Sequence, residues 1–289
     1  MSIAVVIVTY NRLGLLKQTI DALEGQTSPI QTIIVVNNNS NDGTKEYLDG
    51  LTDSKFIIKH ATENLGGAGG FHTALSLFIE QTTADDVWIM DDDTIPTSSA
   101  LASLLEKQEK IDAPFYSSVV EWQDQRVMNL PKLAKNWAAS LQFNVLRTET
   151  ATFVSMLIPR SVINKAGLPE KDMFIWGDDT EYSLRMSSMF GAGVFDLDSR
   201  VLHKTKLFET ERSIYTAPEN MISRFFYLYR NDVFVAFKHK GLLFSLAKML
   251  QLHVKAVAVL LKAQTLRTKR ASAVIKGAWS GVVFYWKHR

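Results

Sequence analysis

The chain has 289 residues, of which 46% are hydrophobic, with 32 Lys+Arg, 30 Asp+Glu and no cysteine. This length suits one large domain with an appendage, or two small domains, and it excludes a disulfide-stapled mini-protein. Without cysteine the chain has no thiol nucleophile, no thiolate zinc site and no iron–sulfur ligand, and it suits a reducing compartment.

Charge is distributed unevenly along the chain. Residues 1–200 carry 16 Lys+Arg and 26 Asp+Glu, a balance of −10, whereas residues 201–289 carry 16 and 4, a balance of +12. A basic segment on an acidic body indicates a polyanionic partner, either a membrane surface or a nucleic acid.

Two features predict a protein that is made and kept in the cytoplasm. The amino-terminal apolar run Ile3–Val8 has no basic leader and is too short for a signal peptide. Lys240, Lys248, Lys255 and Lys262 interrupt the most apolar part of the chain, so we expect no membrane-spanning helix.

Strand and helix patterns alternate over the first hundred residues. β-branched runs predict strands, and helical apolar spacing predicts helices. The expected order is strand Ile3–Val8, helix Leu13–Leu23, strand Gln31–Val36, helix Thr44–Leu51, strand Phe56–Lys59, helix Gly70–Gln81 and strand Asp86–Met90. This alternation predicts an α/β fold with a Rossmann-like, mostly parallel sheet.

The later segments show a less regular pattern. We expect a strand over Thr150–Ile158, helices over Ser161–Ala166 and Thr180–Met189, and short strands over Val194–Asp196 and Arg200–His203. From about Glu219 onward the pattern is helical. We place the domain change between Lys204 and Glu219, which gives an α/β domain over residues 1–210 and a basic helical region over 211–289.

Polar or glycine-rich segments follow the predicted strands. They are residues 9–12, 37–43, 64–70 and 91–93. In open α/β sheets, ligands bind outside the carboxyl ends of the strands. We therefore expect these four segments to converge on one cleft.

Three adjacent carboxylates, Asp91–Asp93, follow a predicted strand. They repel one another, by about 1 kcal/mol per pair near water, unless a cation neutralises them. In an extended backbone Asp91 and Asp93 point the same way, so they can share Mg²⁺ or Mn²⁺, with His203 as a nitrogen ligand. The alternatives are a solvated acidic turn, in which Asp93 caps the next helix, and a purely structural histidine.

Two further segments have features of a binding site. The glycines of Gly66–Gly70 would let a backbone approach phosphates or sugar, although a flexible turn is the alternative. Trp176–Glu181 places three carboxylates at a predicted helix start, where capping accounts for Asp178 and Glu181. The third, beside a tryptophan, suits a general base, because apolar neighbours raise the pKa of a carboxyl group. Capping of the helix by all three is the alternative.

Six short motifs occur in order between about residues 3 and 205. They are Thr-Tyr-Asn-Arg, Asn-Asn-Ser-x-Asp-Gly-Thr, Asn-Leu-Gly-Gly-Ala-Gly-Gly, Met-Asp-Asp-Asp, Trp-Gly-Asp-Asp-x-Glu and Val-Leu-His. Together they resemble the inverting family 2 glycosyltransferases with the GT-A fold. The run Asn64–Phe71, with the Asp triplet and Trp176–Glu181, most resembles bacterial galactofuranosyltransferases, with rhamnosyltransferases next.

The resemblance implies a role for each matching residue. A UDP- or dTDP-sugar donor would be held by Thr9, Asn11, Arg12, Asn37, Asn39, Asn64, Gly66, Gly67 and Asp92. Mn²⁺ or Mg²⁺ would be bound by Asp91, Asp93 and His203; Asp179 would be the catalytic base, and Trp176 and Asp178 would hold the acceptor. Asn37 stands where family members often have an acidic residue, and its amide can still pair with a pyrimidine.

Five lysines recur every seven residues in the basic region, namely Lys248, Lys255, Lys262, Lys269 and Lys276. On a helix this spacing gives a stripe that drifts by about 20° per heptad, and leucines and valines lie between the lysines. The pattern indicates one or two basic amphipathic helices suited to the inner leaflet of a membrane. The alternatives are a helical subdomain packed on protein with its lysines in water, and a nucleic-acid surface, which no motif supports.

Our hypothesis is metal-dependent, inverting transfer of a hexosyl residue, best matched to galactofuranose from UDP-galactofuranose. The acceptor would be a hydroxyl of a lipid-linked bacterial surface glycan, at the cytoplasmic face of the inner membrane. Alternatives are a rhamnosyltransferase using dTDP-rhamnose, a sugar-nucleotide nucleotidyltransferase, whose glycine-rich stretch after strand one is missing at Thr9–Leu13, and a non-catalytic membrane-surface or glycan-binding module. We expect no nucleic-acid partner, and a homo-oligomer is compatible with the sequence.

Overall fold

The computed structural model describes residues 1–205, 208 and 213–289, which form a sheet domain followed by three long helices. The strands are β1 (Ile3–Thr9), β2 (Thr32–Asn37), β3 (Phe56–His60), β4 (Asp86–Asp91), β5 (Thr94–Pro96), β6 (Tyr116–Glu121), β7 (Val127–Met128), β8 (Val145–Thr148), β9 (Met156–Pro159) and β10 (Gly193–His203). The helices are α1 (Leu13–Glu24), α2 (Thr44–Asp49), α3 (Gly66–Gln81), α4 (Ala100–Lys110), α5 (Arg160–Ala166), α6 (Asp178–Phe190), α7 (Ile222–His239), α8 (Leu242–Lys262) and α9 (Arg267–Lys287).

The strands form one mixed sheet in the order β3-β2-β1-β4-β9-β6-β10-β5, with β7 beside β6 and β8 beside β10. β1 pairs in parallel with β2 and β4, β2 with β3, and β6 with β10. β9 runs antiparallel between β4 and β6. The predicted α/β class is confirmed, and the strand order reverses direction at β1, which places the ends of β1 and β4 at the switch point where ligands bind.

Strand β1 is buried on both faces, which explains its unbroken apolar sequence. Ile3, Val5 and Ile7 pack in a cluster that includes residues of α1 and α4. The alternate residues Ala4, Val6 and Val8 pack in a second cluster with residues of α3. Helices thus cover both sides of the sheet, which leaves the carboxyl ends of the central strands open to ligands.

Most predicted elements match the structure to within two residues at either end, and three differ more. α3 begins at Gly66 rather than Gly70, so the glycine-rich segment forms the first turn of the helix. β9 begins only at Met156 because residues 152–154 instead line a cavity. β10 is one strand, and its pairing with β6 shifts register between Asp196 and Arg200, where two separate strands were expected.

Helices α7, α8 and α9 bury a core of their own. It includes Phe225 and Val233 of α7, Leu252 and Val259 of α8, and Val274 of α9. Glycines bring α9 close to α7: a Cβ at Gly277 would lie 2.6 Å from the Phe226 carbonyl oxygen, and one at Gly281 would lie 2.5 Å from that of Arg230. The domain boundary predicted between residues 210 and 211 lies outside the described residues.

The lysine repeat does not form one outward stripe. It is broken because α8 ends at Lys262 and α9 starts at Arg267, after Leu266 with its φ of +53°. Lys248 lies 3.6 Å from an Asp232 carboxylate oxygen of α7, and Lys255 lies 5.2 Å from the Tyr229 ring. These two lysines therefore face α7, and the predicted basic stripe is corrected in this respect.

The outward face of α8 is apolar instead. This 21-residue helix has a mean hydropathy of 1.5 over an 18-residue window of which 28% is buried, so it meets the length and composition required to cross a membrane. The lysines do not exclude such a helix by composition, because a seven-residue spacing leaves few charges in a window of that length; our expectation that no helix spans a membrane stays a prediction. Core helices of soluble proteins can meet the same criterion.

Candidate active site

Two cavities open at the carboxyl ends of the strands and share one wall. The first, of about 560 Å³, is lined by Arg12, Gly67, Asp91, Asp93, Trp176, Asp178, Asp179 and His203 among the predicted residues. The second, of about 630 Å³, is lined by Asn11 and Arg12, the start of α1, and Asp42, Asp93 and Lys204. Nine of the fifteen predicted site residues line these cavities, and they come from segments far apart in sequence that β1, β4, β10, α3 and α6 bring together.

The predicted metal ligands form a compact group. One oxygen or nitrogen atom from each of Asp91, Asp93 and His203 lies within 4.8 Å of the others. Asp93 Oδ1 is buried, lies 3.1 Å from His203 Nε2, and accepts no hydrogen bond from the described residues. Two carboxylates and an imidazole suit Mn²⁺ or Mg²⁺, and a buried oxygen without a donor is what such an ion would satisfy.

Neighbouring groups keep Asp93 ionised. Burial alone would raise the pKa of Asp93, but its contact with His203 and the charge of Arg12 outweigh burial and lower this pKa below its ordinary value. His203 Nδ1 lies 3.3 Å from Asn129 Oδ1, so Asn129 orients the imidazole ring with Nε2 facing Asp93. Asn129 also lines the first cavity, and no sequence motif indicated it.

Asp92 points into the protein and lines neither cavity among the residues described. It is 4% exposed, accepts hydrogen bonds from the Tyr10 backbone N–H (3.2 Å) and Arg12 Nη1 (3.0 Å), and so holds the loop after β1. Arg12 Nη1 also lies 2.6 Å from Asp93 Oδ2. Burial raises the pKa of Asp92 to about 7, although Arg12 opposes this.

Besides Asp92, five residues predicted to contact the donor do not line either cavity: Thr9, Asn37, Asn39, Asn64 and Gly66. The Asn37 and Asn64 side chains accept backbone hydrogen bonds from Ser40 and Gly66. Their role in donor binding stays a prediction.

Asn38, which begins the second motif but was assigned no role, connects two of the loops. It is 2% exposed, its Nδ2 donates to the Gly66 carbonyl oxygen (2.8 Å), and its Oδ1 accepts from the Leu65 N–H (3.0 Å). The segment after β2 therefore positions the glycine-rich start of α3.

Packing requires two of the glycines at the start of α3, namely Gly66 and Gly70. Gly66 has a φ of +70°, and a Cβ there would lie 2.0 Å from the Phe174 carbonyl oxygen. A Cβ at Gly70 would lie 2.4 Å from Val8 Cγ1. Gly67, in contrast, has open space around its Cα and lines the first cavity, so its bare backbone is available to a ligand.

Asp178 and Asp179 begin α6 and face the first cavity. Burial raises the pKa of Asp179 to about 6, and hydrogen bonds from the Thr180 N–H and hydroxyl oppose this rise. Burial and the charge of Asp179 raise the pKa of Asp178 well above its ordinary value. A carboxylate with a raised pKa is suited to accept a proton, as predicted for Asp179.

Glu181 does not cap α6, contrary to our expectation, and Asp178 makes no capping hydrogen bond either, because Gly177 holds the cap position. Glu181 is fully buried, and its carboxylate contacts Arg185 (2.8 Å), Lys238 (3.0 Å) and His239 (3.3 Å). Although burial acts in the opposite direction, these partners lower the pKa of Glu181 to about 2. A buried carboxylate needs such partners, and here it joins α6 to α7.

Helix α7 also holds the segment that carries Trp176. Asn231 is 1% exposed and its Nδ2 lies within hydrogen-bonding distance of the carbonyl oxygens of Met173 (2.9 Å), Ile175 (3.1 Å) and Trp176 (2.7 Å). Arg230 Nη2 donates to the Asp172 and Met173 carbonyl oxygens, both at 2.8 Å. The motif search missed both residues; an Arg-Asn pair within an aromatic-rich helix was the only signal available.

Comparison with known proteins now decides the family. Residues 4–162, more than half of the chain, match the family model described as Glycosyl transferase family 2. The chain belongs to glycosyltransferase family 2. This confirms that the protein is an enzyme of the transferase class.

Relatives of this family 2 glycosyltransferase include the galactofuranosyltransferase GlfT1 of Mycobacterium tuberculosis (strain H37Rv), which is 29% identical over 197 residues, 64% of either chain. GlfT1 of Mycolicibacterium smegmatis is 26% identical over 198 residues, 64% of this chain and 65% of the relative. The similarity thus spans just under two thirds of these relatives, and it confirms the resemblance to galactofuranosyltransferases.

Solved structures show the same fold at low sequence identity. GalNAc-T7 with UDP, GalNAc and Mn²⁺ has a TM-score of 0.65 and 15% identity, over 100% of this chain and 58% of that one. The mannosyltransferase PcManGT of Pyrobaculum calidifontis, with GDP-Man and Mn²⁺, has a TM-score of 0.55 and 15% identity, over 99% of this chain and 87% of that one. The predicted GT-A fold is confirmed.

Proposed function

We propose that this glycosyltransferase transfers a hexosyl residue, best matched to galactofuranose from UDP-galactofuranose, to a hydroxyl of a growing bacterial surface glycan. The observation that supports this most is that Asp179, with its raised pKa, faces the same cavity as the cluster of Asp91, Asp93 and His203. A proton acceptor and an anion-stabilising centre in one cavity are what an in-line displacement requires.

Asp91, Asp93 and His203 would hold Mn²⁺ or Mg²⁺. When bound, the ion would stabilise the charge that develops on the leaving diphosphate. The buried Asp93 Oδ1 without a hydrogen bond supports this, as does the presence of Mn²⁺ in the two structurally similar enzymes. Arg12 and the predicted loop residues would bind the nucleotide.

Asp179 would accept the proton of the acceptor hydroxyl. As the hydroxyl oxygen bonds to the anomeric carbon, the bond from that carbon to the diphosphate oxygen breaks on the opposite face, which inverts the anomeric centre. Trp176 and Asp178, which line the same cavity, would orient the acceptor. No covalent intermediate is needed for a single displacement.

The test of this function is release of nucleoside diphosphate in the presence of Mn²⁺. We expect UDP release from UDP-galactofuranose that stops with a chelator and falls at least about a hundredfold in Asp179→Asn, as for loss of a general base. Release of dTDP from dTDP-rhamnose, without release of UDP from UDP-galactofuranose, would favour the rhamnosyltransferase alternative. If no UDP- or dTDP-sugar is bound or cleaved, the non-catalytic alternative replaces this proposal.

We also propose that the enzyme is peripheral at the cytoplasmic face of the inner membrane and acts on a lipid-linked acceptor. The outward face of α8 is apolar and exposed, for example Leu243 (84%), Leu250 (66%) and Leu261 (72%). Trp279 of α9 packs against His253 of α8 and extends this face. No Asp or Glu follows Asp232 in the sequence, so the rim of the face is basic.

A lipid surface suits this face better than a second copy of the chain. Two copies would bring basic rims together, whereas anionic headgroups complement them and acyl chains cover the leucines. We expect flotation with phosphatidylglycerol vesicles, lost in Leu246→Gln/Leu250→Gln and kept in Leu130→Gln, an exposed leucine of the sheet domain. Dimers in solution without vesicle binding would contradict the proposal.

A further inference from the structure

The two cavities meet at a wall that the sheet domain and helix α7 share. Arg12, Asp93 and Arg224 line both cavities, and Arg224 belongs to the first turn of α7. The candidate base Asp179 lines only the first cavity, whereas Asn11 lines only the second. A ligand that extends from one cavity into the other would therefore pass Arg224.

The position of Arg224 is fixed by its neighbours on α7. The next residue, Phe225, is buried, and its ring lies 5.5 Å from the Trp176 ring, centroid to centroid. Two turns further on, Arg230 and Asn231 hydrogen-bond to the carbonyl oxygens before and at Trp176. The start of α7 is thus fixed against the wall that carries the candidate catalytic residues.

A second guanidinium, that of Arg224, lies at the wall that the two cavities share. Arg12 lies 3.0 Å from Asp92 and 2.6 Å from Asp93, so much of its charge is balanced by these carboxylates. The first cavity is also lined by Asp91, Asp178 and Asp179, which would repel an anionic ligand unless cations oppose them. Arg224 brings a positive charge to this wall from outside the sheet domain.

We propose that Arg224 binds the diphosphate of the sugar nucleotide, so that the helical region supplies part of the donor site. This inference rests on the proposed function. In a sugar nucleotide the diphosphate joins the nucleoside to the sugar, so with the sugar in the first cavity and the nucleoside in the second it would lie at the wall that they share. A planar guanidinium can bind a phosphate through two parallel N–H···O bonds.

Arg224 also acts on the leaving group. When the bond between the anomeric carbon and the diphosphate oxygen breaks, its electron pair stays on the terminal phosphate, which becomes more negative. A guanidinium at that phosphate is more favourable after bond breaking than before it, so its loss lowers kcat as well as affinity.

The test compares nucleoside diphosphates with monophosphates. UDP, UMP, dTDP and dTMP are titrated by calorimetry, with Mn²⁺, into the full chain, Arg224→Gln, Arg224→Lys and the control Lys276→Gln. Lys276 is an exposed lysine of α9 that lines neither cavity. We expect Arg224→Gln to lower the affinity for the diphosphate, UDP or dTDP, by about tenfold or more. The affinity for the corresponding monophosphate should fall by less than about twofold.

Arg224→Lys should fall between the wild type and Arg224→Gln, since it keeps the charge but loses the paired hydrogen bonds. Lys276→Gln should match the wild type. Unchanged diphosphate affinity in Arg224→Gln, or an equal loss for mono- and diphosphate, would overturn the role of Arg224 alone. If the wild type binds none of the four nucleotides, the proposed donor class fails, and this inference fails with it.

Discussion

The side-chain amide nitrogen of Asn231 lies 2.7 Å from the carbonyl oxygen of Trp176, which joins helix α7 to the segment before α6. Phe174 and Trp176 in that segment have φ values of +63° and +61°, a region that non-glycine residues seldom occupy. A backbone of this kind persists only where surrounding contacts hold it. The helical region thus shapes the wall where the acceptor is proposed to bind.

Replacing Asn231 with alanine should disturb this wall. The carbonyl oxygens of Ile175 and Trp176 lose their amide donor, whereas that of Met173 keeps Arg230, so we expect a loss of about 1–3 kcal/mol in the free energy of unfolding. The acceptor KM should rise about tenfold, while UDP affinity stays within about twofold. Urea unfolding and steady-state kinetics measure these effects, with Asn136→Ala at an exposed position as control. An unchanged acceptor KM would show that Asn231 has only a structural role.

The pKa of Asp179 predicts how the activity depends on pH. Because burial raises this pKa to about 6, the transfer rate should increase with pH through about 6 and then level off as the carboxylate becomes ionised. A rate profile over pH 5–8 with saturating donor tests this. A profile that is flat across pH 6, with chemistry rate-limiting, would argue against Asp179 as the base.

The same pKa has a consequence for stability. The folded protein binds the Asp179 proton more tightly than the unfolded chain, so ionisation of this group destabilises the fold as pH rises from about 4 to about 6. In metal-free protein, Asp179→Asn should therefore be more stable than the wild type at pH 8, by about 1–2 kcal/mol, and equal to it near pH 4. Denaturant midpoints at the two pH values measure the difference. Equal midpoints at pH 8 would contradict the assigned pKa.

Glu181 should contribute in the opposite direction. Its pKa is lowered to about 2, so its stabilising effect is present above the ordinary carboxyl pKa and is lost as pH falls toward 2. Glu181→Gln should destabilise the fold at pH 7 by about 3 kcal/mol, because Lys238, Arg185 and His239 lose their buried partner. Glu106→Gln, at an exposed ion pair, should have almost no effect. Similar unfolding curves for both variants would refute this role.

The predicted ligands can be tested by direct metal binding. His203→Ala should weaken Mn²⁺ binding, and Asn129→Ala should weaken it by about tenfold, since Asn129 orients the His203 ring. Electron paramagnetic resonance of free Mn²⁺ reports affinity without turnover. His253→Ala, on α8, serves as the matched histidine control. Wild-type-like binding by His203→Ala would exclude this residue as a ligand.

Gly66 and Gly67 are adjacent at the start of α3, but substitution should affect stability at the first and donor binding at the second. Gly66→Ala places a Cβ against the Phe174 carbonyl at a positive φ, so we expect a loss of more than about 2 kcal/mol in stability. Gly67→Ala has open space for its Cβ, so it should fold normally and instead reduce donor affinity, since Gly67 lines the first cavity. Thermal unfolding and UDP titration separate the two effects. Equal stability of both variants would contradict the packing argument.

Local sequence patterns were sufficient for the first four strands of the sheet domain, whereas α4 and the strands β5 to β8 were not predicted. β1 is buried on both faces, so its apolar run and the polar residues that follow it could be recognised without any partner. The cluster of Asp91, Asp93 and His203 was predicted because strand ends meet at one edge of a sheet. These features depend on rules that act within one or two elements.

Contacts between distant elements could not be predicted in this way. Lys248 and Lys255 have the spacing of a surface stripe, but packing of α8 against α7 decided which direction they face. Glu181 has the sequence position of a helix cap, but in the folded chain its carboxylate contacts Lys238 and His239 of α7. Asn231 satisfies carbonyl oxygens about 55 residues away in sequence, a relationship that only the folded chain establishes.

Helix α9 acts on the segment before the candidate acceptor wall partly through a cation–π contact with Arg230. The Phe284 ring lies 4.4 Å from the Arg230 guanidinium, which in turn donates to the Asp172 and Met173 carbonyl oxygens. Gly277 and Gly281 allow this approach by bringing α9 against α7. A chimaera that exchanges acceptor preference between related enzymes would therefore need α7 and α9 from the same parent, because substitutions near the end of α9 act on a substrate they never touch.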